Sequence, residues 1–258
     1  MSKDTGLGDQ LYVDGFDLSG DIGAIQSLNK TFAEQDVTGL DKSAIERILL
    51  LEDGEIGFAN YYNPTAATHG LHDELSDLPD TDALVSYFRG VLLGAVTASL
   101  LGKQVNYGLA RGNDGALIGE NIAVKGSGYG LEYGYALTAG KYHSIGGGSL
   151  PALDGSLSGY TGGSNAPTVF FLHMFAMTGA AGDDVTVQIW HSDDDALGDP
   201  YTNLVSFTNV DIAAVPTAER ITKTVTACKR WIKIATTTVS NYPTTVDFAV
   251  AAIRGIAL

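Results

Sequence analysis

The sequence predicts a mainly β protein with an N-terminal α+β part and a C-terminal β-sandwich of jelly-roll type. Two observations support this prediction. The chain of 258 residues is 45% apolar and rich in glycine, and its Val, Thr and Tyr are residues that favour strands. In its last third, six short apolar runs alternate with turn residues, as in a sandwich; they cover residues 168–177, 184–192, 203–212, 219–227, 230–238 and 245–255.

A long hairpin is predicted at the centre of the N-terminal part. Polar and apolar residues alternate over residues 103–110, which is the period of a half-buried strand. Arg111 is followed by Gly-Asn-Asp-Gly, the residues that a tight turn requires, and residues 116–125 then form a returning strand. Several glycines and tyrosines beyond Lys125 predict a bend or a close approach of another backbone.

Shorter elements precede that hairpin. Asp14-Gly15 predicts a tight turn after a first strand. Residues 22–42 predict a loop or arm with a short extended piece, whereas residues 43–51 fit either a helix or a strand. Asp53-Gly54 is expected to end that segment, and residues 55–61 resume strand alternation.

One flanking helix is predicted over residues 80–90. Asp80 or Thr81 can cap it, an apolar face includes Leu84 and Phe88, and Gly90 suits its C-terminal end. Residues 91–101 are apolar on both faces, which predicts a buried strand with a possible break at Gly94.

These elements predict two domains. Residues 1–150 form an N-terminal α+β domain, residues 151–164 a Gly/Ser-rich linker, and residues 165–258 a C-terminal β-sandwich domain. Residues 144–167 as a whole are rich in glycine and serine and offer little to pack.

The charge excludes one class of partner. The formal net charge is −15, and residues 1–150 contribute 20 acidic and 9 basic side chains, or −11. Such a surface repels phosphate, so sequence-specific nucleic-acid binding is not expected, whereas a wall past which DNA slides is compatible with it. No leader or spanning segment is evident, and synthesis in the cytoplasm is expected.

The candidate site residues indicate no catalysis. Four aspartates offer oxygen ligands at a weak calcium site, although an exposed acidic turn explains them better: Asp193, Asp194, Asp195 and Asp199. Trp190 and Tyr242 are candidates for stacking on sugar rings, against a structural role in the sandwich. Cys228, the single cysteine, is expected to be a small buried hydrophobe, and no cofactor is expected.

The N-terminal part resembles the major tail proteins, the tail tube subunits, of long-tailed bacteriophages and related viruses. Four segments carry the resemblance: residues 11–23, 36–64, 79–90 and 103–141, which offer strands, an Asp-Gly turn, a helix and a closing hairpin in the family's order. The C-terminal part is similar to β-sandwich modules appended to such proteins.

This resemblance implies a β-sandwich or barrel flanked by one helix, with six subunits closing into a ring and rings stacking into a tube. It implies a non-enzymatic virion protein, made in the host cytoplasm, whose partners are copies of itself, other tail proteins and DNA in transit. The central hairpin and the strands near residues 48–62 and 91–101 would build the wall, and the loops at residues 22–42 and 63–78 are the candidates for contacts between rings. The alternative is a carbohydrate-binding adhesion protein or a head or tail decoration protein.

Overall fold

The computed structural model describes residues 7–63, 70–78, 80–111, 117–154, 168–223 and 228–254. These residues are mainly β, as predicted. The strands are β1 (Gln10–Val13), β2 (Phe16–Asp17), β3 (Ile22–Asp36), β4 (Arg47–Tyr61), β5 (Ala83–Phe88), β6 (Val96–Gln104), β7 (Leu109–Arg111), β8 (Leu117–Gly126), β9 (Glu132–Ala136), β10 (Tyr142–Ile145), β11 (Gly148–Ser149), β12 (Leu153–Asp154), β13 (Thr168–Thr178), β14 (Asp184–Ser192), β15 (Thr202–Ser206), β16 (Val210–Asp211), β17 (Thr217–Lys223), β18 (Trp231–Thr237) and β19 (Thr245–Arg254).

Helical structure is short in the described ranges. The α-helix α1 covers Leu71–Leu75, and single 3-10 turns cover Ser19–Asp21 and Ile212–Ala214. None of the helices in the described part of the chain has the length and apolar character needed to cross a bilayer.

The chain divides into two compact units, each assembled from separate stretches of sequence. Unit 1 comprises Met1–Ser19, Ser86–Ser99 and Tyr133–Leu258, and unit 2 comprises Gly20–Val85 and Leu100–Glu132. Most of the predicted linker at 151–164 lies outside the described residues, so the boundaries proposed from the sequence stay predictions.

Unit 1 contains the predicted β-sandwich, and each of the six apolar runs of its sequence contains a strand within the described residues. In one sheet β13 lies between β17 and β19, and in the other β18 and β14 are central. Side chains from both sheets join one core cluster, among them Phe170 and Phe248 from the first and Ile189 and Ile234 from the second. The alternation in β14 explains its prediction, because Val187 and other inward residues are buried and their neighbours half-buried.

Unit 2 is organised around a long antiparallel hairpin of β3 and β4, each of 15 residues. β4 also pairs with β8, which pairs with β7 and β6. Residues 22–42 were predicted as a loop or arm with a short extended piece; the extended part is longer than predicted, because β3 covers Ile22–Asp36. Asp53-Gly54 does not end a segment, because both residues lie inside β4 and a Cβ on Gly54 would lie 2.3 Å from the Leu131 nitrogen.

The helix predicted over residues 80–90 is wrong, since this stretch contains β5. Ala83, Leu84, Val85 and Ser86 are consecutive and all buried, so both faces of the strand are covered. An apolar run of this kind matches helical spacing and a fully buried strand equally well. The α-helix of the described chain lies earlier, at α1, within the stretch predicted as a loop at 63–78.

The central hairpin is present in a shorter form than predicted. The expected strand at 103–110 is divided between the end of β6 and β7, while β8 closely matches the predicted return at 116–125. Leu109 pairs with Gly119, and the predicted turn residues 112–115 lie outside the described residues. The strand predicted from residue 91 begins only at Val96, after Gly94 at φ +81°.

The Asp14-Gly15 turn is confirmed between β1 and β2, with φ values of 47° and 86°.

Candidate functional site

The distal part of the β3–β4 hairpin is the most unusual surface of unit 2. We call residues 29–51 the arm; every residue in it is exposed. Nearer the base of the same hairpin, Ile56 and Phe58 are fully buried. The arm is nevertheless regular β-structure, with pairing that extends to Asp36 opposite Arg47. Isolated two-stranded hairpins are marginally stable in water, so contacts made by the exposed surface of the arm would stabilise it.

The arm is rich in large apolar side chains of the kind that folding ordinarily buries. Leu40 and Leu51 are the most exposed of them, at 109% and 84%. The full set is Phe32, Val37, Leu40, Ile45, Ile48, Leu49, Leu50 and Leu51. Burying apolar surface is favourable by about 25 cal/mol per Å², and concentrated exposed apolar surface marks interaction sites. The arm therefore has the composition of an interface.

Local hydrogen bonds order the turn at the end of the arm. The Asp36 carboxylate accepts from the Thr38 backbone N–H at 2.9 Å and from the Thr38 hydroxyl at 2.6 Å. These bonds hold the pKa of Asp36 below its ordinary value. The Thr38 hydroxyl oxygen in turn accepts from the Glu46 N–H at 2.9 Å. The turn thus has a defined shape before any partner binds.

The strands of the arm have unpaired edges. Among the described strands, β3 pairs with β4 alone, and the register of β4 with β8 ends at Glu55 opposite Lys125. The N–H and C=O groups along such edges are available to another strand. Apolar side chains and open edges together suit the arm to protein–protein association. The sequence shows that residues 48–51 are apolar, but it does not predict that they are exposed.

The four aspartates predicted as weak calcium ligands lie together in the turn after β14. Both carboxylate oxygens of Asp194 accept from the Asp199 N–H, at 3.0 and 3.1 Å. The ammonium of Lys229 lies 2.7 and 2.8 Å from the Asp199 oxygens, and together with the Asp193 N–H it lowers the pKa of Asp199. The carboxylates of Asp194 and Asp199 therefore already accept hydrogen bonds from neighbouring groups, and the calcium site stays a prediction. No group of three or more His, Cys, Asp or Glu in the described ranges is arranged to hold a metal ion.

Trp190 and Tyr242, the predicted sugar-stacking residues, have different surroundings. Trp190 lies on β14 opposite Asn203 and Lys233, and its indole N–H donates to Gln188 at 3.0 Å. Tyr242 packs against the core cluster of unit 1, and its hydroxyl hydrogen-bonds Thr236 at 3.2 Å. The structure thus gives the two residues no common set of contacts.

A serine–histidine contact that the sequence did not reveal lies in the core of unit 1. His173 is fully buried, and its Nε2 lies 2.9 Å from the Ser86 hydroxyl, which also bonds Ser99 at 2.8 Å. The Nδ1 atom accepts a hydrogen bond from the Gly15 N–H. In the neutral ring Nε2 therefore carries the hydrogen and donates a hydrogen bond to the Ser86 hydroxyl. His173 therefore cannot act as a base toward Ser86 in this arrangement.

Comparisons with known proteins give structural likenesses alone. No protein-family model matches the sequence, and no curated protein matches it. The Dit protein (gp 19.1) of phage SPP1, described as a paradigm of the hub adsorption apparatus in phages infecting Gram-positive bacteria, aligns at TM-score 0.32 and 10% identity, over 95% of this chain and 99% of its own.

Two further solved structures come from assembled particles. A chain of the virion of a native gene transfer agent aligns at TM-score 0.34 and 16% identity, over 51% of this chain and 98% of its own. A chain of the phage P2 baseplate in its activated, Ca-containing conformation aligns at TM-score 0.29 and 10% identity, over 96% and 98%. These neighbours are phage tail, baseplate or virion components. Likenesses at such TM-scores are not evidence of a shared function.

Proposed function

We propose that this chain is a non-enzymatic structural subunit of a viral tail, located in the virion, that assembles with copies of itself into rings. In its specific form, the proposal is a major tail tube subunit whose rings, with six subunits each, stack into a tube. The observation that carries the proposal is the arm, in which residues 29–51 are all exposed and yet include eight large apolar side chains. A subunit that exposes this surface alone would cover it on assembly.

The sequence resemblance to tail tube proteins supports the same proposal. The arm overlaps one of the segments that carry the resemblance, and residues 22–42 were predicted from sequence to make contacts between rings. The net charge of −15 supports transit of DNA through a lumen without specific binding, because phosphates would find few cationic partners. Other tail proteins would contact the ends of the tube.

The test compares the full chain with a variant that lacks most of the arm. Replacing residues 33–51 with Asn-Gly would join Phe32 to Glu52, which are paired neighbours, through a two-residue turn. We expect rings or tubes from the wild type in electron microscopy, at high protein concentration and moderate salt, and monomers from the variant. Thermal unfolding of the variant checks that its fold is retained. A wild type that remains monomeric at every concentration would contradict the proposal.

Stacked tubes from the wild type would favour the tube role, whereas single rings would favour a terminal position in the tail. A glycan-binding or decoration protein remains the rival. The glycan-binding alternative predicts sugar binding by the chain without any requirement for the arm.

A further inference from the structure

The two faces of the arm differ because of an irregularity in the β3–β4 register. Glu34 pairs with Leu49 and Phe32 pairs with Glu52, so that one residue on β3 lies opposite two on β4. The single residue is Ala33, and the two are Leu50 and Leu51. This is the arrangement of a β-bulge, in which both extra residues oppose the same partner.

The bulge brings neighbouring leucines to one face. Side chains alternate along a strand, so Ala33 lies on the face opposite to Phe32 and Glu34. Leu50 and Leu51 oppose Ala33 and share its face, as does Ile48, which pairs with Gln35. We call this the aliphatic face of the arm. A strand without the bulge would place Leu50 and Leu51 on opposite faces.

The other face carries charge, and its ion pairs independently support the assignment. Arg47 pairs with Glu34 at 3.4 Å, and Lys30 pairs with Glu52 at 2.9 Å. In each pair the two residues fall on the same face by register, together with Phe32 and Leu49. We call this the charged face. It can remain in water at little cost because its charges are solvated and paired.

The aliphatic face has no such compensation. Ile48, Leu50 and Leu51 are 47%, 49% and 84% exposed. No charged side chain falls on this face between Ala33 and Gln35 on β3 or between Ile48 and Leu51 on β4. Polar replacements there would cost the fold little, whereas covering these side chains would release water from three large aliphatic groups.

We propose that the aliphatic face of the arm is the surface on which a second copy of this chain docks, and that the charged face stays in water. This inference rests on the proposed function and specifies the contact within it. Copies that each carry a net charge of −15 repel one another, so an uncharged face is where they can approach closely. The chain also exposes a second aliphatic group, Val91, Leu92 and Val96, so another copy can supply an apolar partner.

The experiment compares substitutions on the two faces of the full-length chain. The aliphatic-face variant is Ile48→Ser/Leu50→Ser/Leu51→Ser, and the charged-face control is Phe32→Ser/Leu49→Ser. Sedimentation velocity across a concentration series measures association. We expect the aliphatic-face variant to weaken it at least about tenfold, equivalent to about 1.4 kcal/mol, and the control by less than about threefold. Leu51→Lys repeats the test with a single substitution if the triple variant does not fold.

The outcomes separate this inference from the proposed function. Equal weakening by both variants, or no effect of either, would overturn the assignment of the docking face while rings of the wild type would still support the tail role. Absence of any wild-type association would overturn both. If the wild type associates and only the aliphatic-face variant is weakened, crosslinking from Leu51→Cys identifies the surface that receives the arm.

Discussion

His173 and Ser86 share a buried hydrogen bond of 2.9 Å whose direction is set from the far side of the imidazole ring by the Gly15 N–H. The ring is neutral in this arrangement, because an added proton on Nδ1 would face another donor. Burial lowers the pKa of His173 from 6.5 to about 3. A motif that resembles a catalytic pair is therefore a structural element of the core.

This histidine predicts a loss of stability in mild acid. Its folded-state pKa is lowered, so below about pH 6.5 the unfolded chain binds a proton that the folded chain does not. The contribution is fully present above pH 6.5 and declines until the pH reaches about 3. From pH 7.5 to 4.5 we expect the free energy of unfolding to fall by about 2 to 3 kcal/mol from this group.

Urea unfolding of the wild type and of His173→Asn at the two pH values measures that contribution. The variant lowers stability at both pH values but lacks the titrating ring, so its pH dependence should be smaller by that amount. Identical pH dependence in the two proteins would mean that His173 is not protonated differently in the folded and unfolded states.

Close backbone packing in unit 2 predicts a second effect. A Cβ on Gly102 would lie 2.1 Å from the carbonyl oxygen of Lys125 on the paired strand, so Gly102→Ala must displace β6 from β8. We expect a loss of about 1 to 3 kcal/mol in the free energy of unfolding. The matched control is Gly20→Ala, because a Cβ there would meet nothing within 4 Å. Chemical denaturation measures the free energy of unfolding of both variants. Equal losses in the two would contradict this packing.

The sequence predicted strands well where one face is buried and poorly where both faces have the same environment. β14 alternates because Val187 and Ile189 face the core while Gln188 faces outward, and it was predicted correctly. β5 is buried on both faces and was taken for a helix. The strands of the arm are exposed on both faces, so no alternation marks the apolar residues near Ile48 as strand. Their exposure depends on the tertiary fold, which local sequence does not specify.

The turn after β14 predicts a weak response to calcium. The Asp194 carboxylate accepts a hydrogen bond from the Asp199 N–H, and the Asp199 carboxylate forms an ion pair with the Lys229 ammonium. A calcium ion would have to displace these donors, so we expect millimolar CaCl₂ to leave the melting temperature no higher than the same concentration of MgCl₂ does. Differential scanning fluorimetry measures this. A calcium-specific rise that disappears in Asp194→Asn would instead establish the site predicted from sequence.

From the surroundings of the aromatic side chains in and next to the second sheet, we expect weak recognition of neutral sugars. The guanidinium of Arg230 lies 5.5 Å from the ring centre of Trp231, and the ammonium of Lys233 lies 4.1 Å from that of Tyr201. Cations thus already interact with ring faces on which a sugar would stack. Trp190, one of the two candidates predicted from the sequence, donates its indole N–H to Gln188. We therefore expect no specific binding of the full-length chain to a glycan array.

The same array probed with Trp190→Ala and Tyr242→Ala distinguishes recognition from packing. Tyr242 contacts the core cluster, so its replacement should lower the melting temperature whether or not sugars bind. Trp190→Ala should have a smaller effect, since Trp190 does not belong to that cluster. Binding that is lost in Trp190→Ala without a loss of stability would favour the adhesion rival over a purely structural role, because only direct contact with the sugar would separate the two effects.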